Sequence, residues 1–113
     1  MFKIVQPTEY AWGVTVELPM DGGRVEKQTF DAVFKRVSQT RLIEIQKLIE
    51  AGEIRDIDLA REVLVGWKGV VDGEGGEVPF SESARDQLFD IPMVASAVVL
   101  AFMASLTGAK RKN

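Results

Sequence analysis

Residues 91–106, IPMVASAVVLAFMASL, carry no charged side chain in a chain of which 27% of the residues are charged. The polar side chains in this run are Ser96 and Ser105, which at about 100° per residue fall on opposite sides of a helix. A helix that is apolar on all sides must be covered on all sides, by its own chain or by another molecule. The run therefore predicts a central core helix, the commoner case, or a helix that also serves assembly or partner binding.

The two sides of this predicted helix differ in side-chain size. One narrow stripe is small: Ala97, Ala101, Ala104 and Gly108. Small residues let a neighbouring helix approach closely, whereas soft and aromatic residues fill a core or line a groove for an apolar helix. The residues that we expect to line such a groove are Met93, Val99, Phe102, Met103 and Leu106. Polar substitution of Phe102 or Leu106 is then expected to abolish partner binding while the fold survives.

Composition bounds the function. A chain of 113 residues suits a single domain, and the absence of cysteine excludes disulfides and thiolate chemistry. The absence of histidine removes the commonest general base and the commonest metal ligand, so the serines have no histidine to activate them. We predict that the protein is not an enzyme and that it uses no cofactor or metal.

The charge distribution bounds the partners. Residues 38–90 carry six basic and twelve acidic side chains, which argues against nucleic acid, and Lys110–Lys112 are interpreted as part of a solvated tail. The N-terminus lacks the apolar core of a signal peptide, and the run at 91–106 is short of the about 20 residues of a membrane span. We predict a soluble, cytoplasmic protein that binds no membrane.

Residues 12–18 carry the clearest strand pattern. Four apolar residues alternate with Gly, Thr and Glu: Trp12, Val14, Val16 and Leu18. Residues 19–23, PMDGG, supply a fixed φ and two glycines, as a chain reversal needs, and residues 24–29 return as a polar strand. The pattern predicts a β-hairpin, and residues 1–5 are a candidate for a further short strand that Pro7 would stop.

Residues 30–37 fit two templates. Phe30, Val33 and Phe34 have helical spacing, whereas Phe30, Ala32 and Phe34 have strand spacing. We favour continuation of the strand because Thr, Phe and Val are β-prone.

Four helices are predicted after residue 37. The first has Ser38 or Thr40 as its cap, an apolar stripe from Leu42 to Ile49, and an end at Ala51-Gly52. The second opens with Asp56 as N-cap and has a face that continues to Trp67. Ser81 caps a short third helix with Ala84 and Leu88 inward, and Pro92 starts the apolar fourth helix.

Together these elements predict an α+β fold, with an N-terminal antiparallel hairpin or small sheet followed by about four helices. The last helix is apolar and central. The chain is predicted to be one domain over residues 1–113, mainly β over 1–37 and mainly α over 38–108, with a flexible basic tail at 109–113.

The loop Asp72–Glu77 alternates acidic residues with glycines, as calcium loops do. It departs from the EF-hand pattern because Glu77 stands where glycine is required and Ser83 stands where the last glutamate ligand is required. We interpret the loop as a solvated turn.

A family resemblance rests mainly on residues 67–81. Trp67–Asp72 read WKGVVD and Gly76–Ser81 read GEVPFS, and they are followed by Leu88, Pro92 and the apolar helix with its basic tail. This pattern resembles the tail assembly chaperones of long-tailed, siphovirus-like bacteriophages and prophages, mainly over residues 28–113. The positions that match the motif are structural ones, since the family offers no catalytic residues: Trp67, Gly69, Asp72, Gly76, Pro79 and Phe80.

The resemblance implies a role in virion morphogenesis. Such proteins bind the aggregation-prone tape measure protein in the host cytoplasm before the tail tube polymerises around it, and they are absent from the finished virion. The expected partners are therefore the tape measure protein, the major tail protein, a longer frameshifted form of the chain and further copies of the chain itself. The alternative is a structural tail or head-tail connector component that stays in the virion.

Overall fold

The computed structural model describes residues 1–108. In chain order its elements are β1 (Glu9–Pro19), β2 (Val25–Lys35), α1 (Gln39–Glu50), α2 (Asp56–Val63), β3 (Leu64–Lys68), α3 (Glu82–Phe89) and α4 (Val94–Leu106). A turn of 3-10 helix at Asp21–Gly23 joins β1 to β2. The α+β class is as predicted, and the predicted basic tail at 109–113 lies outside the described residues.

The three strands form one antiparallel sheet in the order β1-β2-β3. Val14 pairs with Phe30 across the hairpin, so residues of even number lie on the same face in both strands. The predicted hairpin is confirmed, and the strand predicted over residues 30–37 is confirmed as far as Lys35, where β2 ends. Residues 1–7 form no strand, so the candidate strand at 1–5 is wrong.

One face of the sheet is covered by helices and the other is open. The covered face carries the buried residues of the hairpin: Val14, Val16, Phe30, Ala32 and Phe34. The open face carries polar side chains, including an ion pair in which Lys27 Nζ lies 3.8 Å from a Glu17 carboxylate oxygen. The domain therefore has two layers, and its core lies between the sheet and the helices.

Helix α1 begins and ends where the sequence predicts. The Ser38 hydroxyl accepts the Arg41 backbone N–H at 3.1 Å, and the helix gives way to Ala51 and Gly52. Its predicted apolar stripe is only partly covered, because Ile45 is buried while Ile49 is exposed. A two-bond ion pair ties α1 to α2: Arg41 Nε and Nη2 donate to the two Glu62 carboxylate oxygens at 2.9 and 2.7 Å.

The Arg41–Glu62 pair predicts a specific response to acid. The hydrogen bonds from Arg41 lower the pKa of the Glu62 carboxyl below its usual range, with partial burial opposing them. A lowered folded pKa means that the stabilisation is complete above the unfolded pKa and is lost as the pH falls through the folded pKa. We expect Glu62→Gln to be less stable than the native protein at neutral pH and to lose less stability on acidification.

Urea unfolding at neutral pH and at a pH below the folded pKa of Glu62 measures both effects. Glu44→Gln is the matched control, because Glu44 lies 3.8 Å from Arg41 in a more exposed position, whereas Glu62 is held by two short bonds. Equal acid sensitivity in the Glu62→Gln variant and the native protein would contradict the expectation.

The second helix differs from its prediction at both ends. Its N-cap is Arg55, not Asp56, and the Asp58 carboxylate accepts the Arg55 backbone N–H at 3.0 Å. The helix ends at Val63, and residues 64–68 form β3, so Trp67 does not lie on a helix. The reason is tertiary: β2 offers a free edge, and Leu64–Lys68 pair with it through a bulge that skips Val65.

The last two helices meet at a sharp turn. The Ser81 hydroxyl accepts the Ala84 backbone N–H at 3.0 Å, which confirms the predicted cap of α3. Helix α4 begins at Val94, two residues later than predicted from Pro92, because Met93 takes a left-handed conformation with φ 78°. The axes of α3 and α4 differ by 105°.

Candidate binding surface

The inner side of α4 belongs to the core. Val94, Val98 and Phe102 recur every fourth residue and are buried. The Phe102 ring is completely buried and packs edge-on against the Phe34 ring, with 5.4 Å between centroids. Phe102 was predicted to line a partner groove; the structure instead places it beneath α4, where no partner can touch it without opening the core.

The outer side of α4 is apolar and uncovered. Leu100 is 71% exposed and Met93 is 62% exposed. Ala97, Met103 and Ala104 lie beside them and are half-buried. We call these five residues the α4 stripe. The stripe carries no charged residue. Because Leu100 and Met93 are exposed, this apolar side of α4 faces solvent in the single chain.

The serines of α4 have partners within the chain. The Ser96 hydroxyl donates to the Asp56 carboxylate at 2.9 Å, and the Ser105 and Tyr10 hydroxyl oxygens lie 2.7 Å apart. These bonds fix the rotation of α4 about its axis at both ends of the helix. These contacts hold the α4 stripe outward, and the Ser96 bond places the Asp56 carboxylate beside it.

A groove of about 410 Å³ lies at the C-terminal end of α4. Its wall includes Trp12, Val37 and Leu106, and Leu106 is 43% exposed. The Arg36 guanidinium stacks over the Tyr10 ring at 4.9 Å from its centroid, so the groove has a cationic side. A peptide with an apolar residue next to an acidic residue would suit this groove, because the apolar residue fits its wall and the carboxylate faces Arg36.

The five predicted partner-binding residues do not form one groove. Met93 and Leu106 are exposed, Val99 and Met103 are half-buried, and Phe102 is buried. Met93 and Leu106 stand at opposite ends of α4, about 20 Å apart at 1.5 Å per residue. Sequence reasoning missed Leu100, although it falls between Ala97 and Ala104 on the small-residue side and opposite Val98.

The motif at residues 67–81 forms a supported turn beside β3. Trp67 Nε1 donates to the Val78 carbonyl at 2.7 Å, and the Trp67 and Phe80 rings meet edge-on at 4.9 Å. The Asp72 carboxylate accepts the backbone N–H groups of Glu74 and Gly76, which lowers the pKa of Asp72. A Cβ at Gly76 would lie 3.1 Å from an Asp72 carboxylate oxygen, so this position suits glycine.

Gly69 and Pro79 complete the motif positions. Gly69 follows β3 with φ 86°, a conformation that favours glycine, and Pro79 immediately precedes Phe80. Trp67, Gly69, Asp72, Gly76 and Phe80 therefore support the turn by a contact or a backbone conformation, and Pro79 lies within it.

Within residues 1–108, no cluster of three or more acidic, His or Cys side chains is arranged to hold a metal ion. Over the same residues no single helix meets the length and hydropathy needed to cross a membrane; α3 and α4 meet them only as a bent pair. No protein-family model, curated protein or solved structure matches the chain.

Proposed function

We propose that the protein is a tail assembly chaperone of a long-tailed phage or prophage, which binds the tape measure protein in the host cytoplasm and keeps it soluble until the tail is built. The resemblance over residues 67–81 supports this role. The observation that carries it is the α4 stripe, an uncharged surface on a chain with a net charge of −3.

The α4 stripe suits an apolar helical client. Met93 and Leu100 are seven residues apart and lie on the same side of α4, at the spacing with which one helix meets another. Ala97 and Ala104 alternate with them and leave room for the client backbone to come close. Methionine is unbranched and polarisable, so it adapts to client segments of different shape.

The acidic body supplies solubility. Residues 38–90 carry twelve acidic and six basic side chains, and the exposed loop after β3 holds three of the acidic ones, Asp72, Glu74 and Glu77, without a basic residue. When a client segment binds the α4 stripe, its apolar face is covered and the negatively charged surface of the chain faces the solvent instead. Net negative charge keeps such complexes apart and therefore suppresses aggregation.

Polar substitution on the α4 stripe is expected to weaken client binding. Burying a Leu or Met side chain is worth about 1.5–3 kcal/mol, so we expect Leu100→Asp and Met93→Asp each to weaken client binding about 10- to 100-fold. Both side chains are exposed, so the variants should melt within a few degrees of the native protein. Co-expression with the tape measure protein, followed by a pull-down and measurement of soluble client, tests this.

Ile43→Asp is the matched control, because Ile43 is an exposed apolar residue on α1, outside the α4 stripe. It should leave the yield of soluble client unchanged. Loss of client solubility in the control as well would point to general hydrophobic contact and against a site on α4. A client that is equally soluble without the chain, together with presence of the chain in purified particles, would replace the chaperone proposal by a structural tail or connector role.

A further inference from the structure

The N-terminal segment is an apolar arm without contacts to the core. Met1, Phe2, Ile4 and Val5 are between 81% and 127% exposed, and none of them packs on the buried core. The arm leaves the domain at a fixed place: the Arg36 backbone N–H donates to the Thr8 carbonyl at 2.8 Å and Arg36 Nε donates to the Pro7 carbonyl at 2.7 Å. Four large apolar side chains thus project from one end of the sheet.

The opposite end of the sheet has an apolar cleft. It lies between the distal half of the hairpin and the turn from α3 to α4 and has a volume of about 160 Å³. Its lining includes Val16, Leu18, Phe30, Val71, Leu88 and Ile91. Val71 and Ile91 are exposed and form its rim. The cleft is large enough for one aromatic or branched side chain.

The arm of a chain is badly placed to fill that chain's own cleft. Phe2 is six residues from Thr8, a span of at most about 20 Å. Phe30, which lines the cleft, pairs with Val14, six residues from Thr8 along β1 and also about 20 Å away. The arm would therefore have to be fully extended and to reverse its direction at Pro7, which is bonded to Arg36. These two constraints favour an arm from another copy.

Charge and area favour a second copy. Lys3 lies between Phe2 and Ile4, and Asp90 directly precedes Ile91 at the cleft rim; neither side chain makes an ion pair within residues 1–108. One arm carries four large apolar side chains, of which the cleft can take one while the others lie over its exposed rim at Val71 and Ile91. A reciprocal exchange doubles the buried surface, which favours a stable dimer.

We infer that residues Met1–Val5 of one copy dock on a second copy, with the Phe2 side chain in the cleft beside Ile91 and Lys3 facing Asp90, and that the exchange is reciprocal in a two-fold dimer. A two-fold arrangement with the strands of the two copies antiparallel brings each arm to the cleft end of the other copy. Reciprocity also leaves no arm free to recruit a third copy. The inference is independent of the chaperone proposal, and its tests need no client.

The first test is the mass of the full chain in solution by sedimentation velocity over a wide range of concentration. We expect the native protein to be a dimer and the Phe2→Asp, Ile4→Asp double variant to be a monomer. Phe2 and Ile4 are exposed and do not pack on the core, so the variant should keep its fold. Ile43→Asp, on α1, should remain a dimer. A monomeric native protein, or an arm variant that dimerises as tightly as the native one, would overturn the inference.

The second test separates the cleft from other docking places. The chain has no cysteine, so single cysteines can be placed as Lys3→Cys and Asp90→Cys, which leave Phe2 and the cleft lining in place. After mild oxidation, we expect the mixture of the two variants to form a disulfide-linked dimer much faster than either variant alone. Equal cross-linking of Lys3→Cys with itself would place the two arms against each other and would refute docking in the cleft.

The third test is a charge exchange. Lys3→Asp and Asp90→Lys should each raise the dimer dissociation constant about two- to fivefold, the range of an exposed ion pair. The double variant should restore the native value. Additive weakening in the double variant would show that these two charges do not meet.

Discussion

We expect Phe102→Ala to lower the free energy of unfolding by about 3–5 kcal/mol, the range for removing a buried aromatic ring. Phe102 is completely buried and packs edge-on with Phe34, whose ring also meets Tyr10 edge-on at 6.0 Å. Its removal would leave a cavity between α4 and the middle strand, and neither element can move inward without breaking its other contacts. Urea unfolding of the purified variant measures the loss.

Leu100→Ala on the same helix is the control. Leu100 is exposed, so its truncation should change the free energy of unfolding by no more than about 0.5 kcal/mol. Similar losses for the two variants would mean that α4 is rotated relative to the structure described above. The expectation also replaces the one drawn from sequence, in which a polar substitution of Phe102 leaves the fold intact.

The second large effect is expected at Trp67. Trp67→Ala should lower the free energy of unfolding by about 3–5 kcal/mol, because the indole is nearly buried between Phe30 and Phe80. It also removes the donor to the Val78 carbonyl, the bond that fastens the loop after β3 to the sheet. Trp12 remains as a fluorophore, so unfolding can be followed by fluorescence in the variant.

Trp67→Phe distinguishes the ring from the hydrogen bond. Phenylalanine keeps an aromatic ring for contact with Phe80 and loses the donor, so we expect a smaller loss, about 1–3 kcal/mol, from the unpaired carbonyl and the reduced volume. Equal losses for the alanine and phenylalanine variants would assign the whole effect to the bond with Val78. A loss below about 1 kcal/mol for Trp67→Ala would contradict the packing described for this turn.

The hairpin could be predicted from sequence because its signals are local. The alternation from Trp12 to Leu18 and the two glycines of the turn specify both strands and their reversal within one short stretch. Residues 30–37 were also predicted as a strand, which is correct as far as Lys35, although helical spacing fits them as well. Their β-prone composition agrees with their place in β2, the middle strand, where both edges are paired.

Strand β3 could not be predicted in the same way. The spacing of Leu59, Val63 and Trp67 continues one helical face without interruption, and the reason for the strand lies elsewhere in the chain, in the free edge of β2. Gly66 was the available local signal, since glycine inside a helix costs about 1 kcal/mol relative to alanine. In β3 it lies against Val33, where a Cβ would come within 3.3 Å of the Val33 Cβ.

The orientation of α4 was the part of the site that sequence left open. In a helix with no charged residue, a hydrophobic pattern does not distinguish the covered side from the uncovered side. Large residues were expected to face a partner, yet Phe102 faces the core and Leu100 faces solvent. The two serines contain the missing information, but only if their partners Asp56 and Tyr10, far away in the chain, are known.

At the N-terminal arm a strand was predicted where the structure has none. Residues 1–5 have the composition of a strand, but a strand needs a neighbour, and the structure provides none within residues 1–108. The exposed apolar side chains that remain are the basis for the dimer inferred above.

The contact between Tyr10 and Ser105 joins residues 95 positions apart. Helix α4 covers β1 and is the last element described. The apolar face of β1 is therefore protected from water only after α4 has been made and has packed on it. Closing so long a loop is entropically costly and slows folding. During synthesis the hairpin emerges before α4, so Val14, Val16 and Phe34 are then exposed to solvent. The nascent chain at that stage is prone to aggregate and is itself a substrate for chaperones.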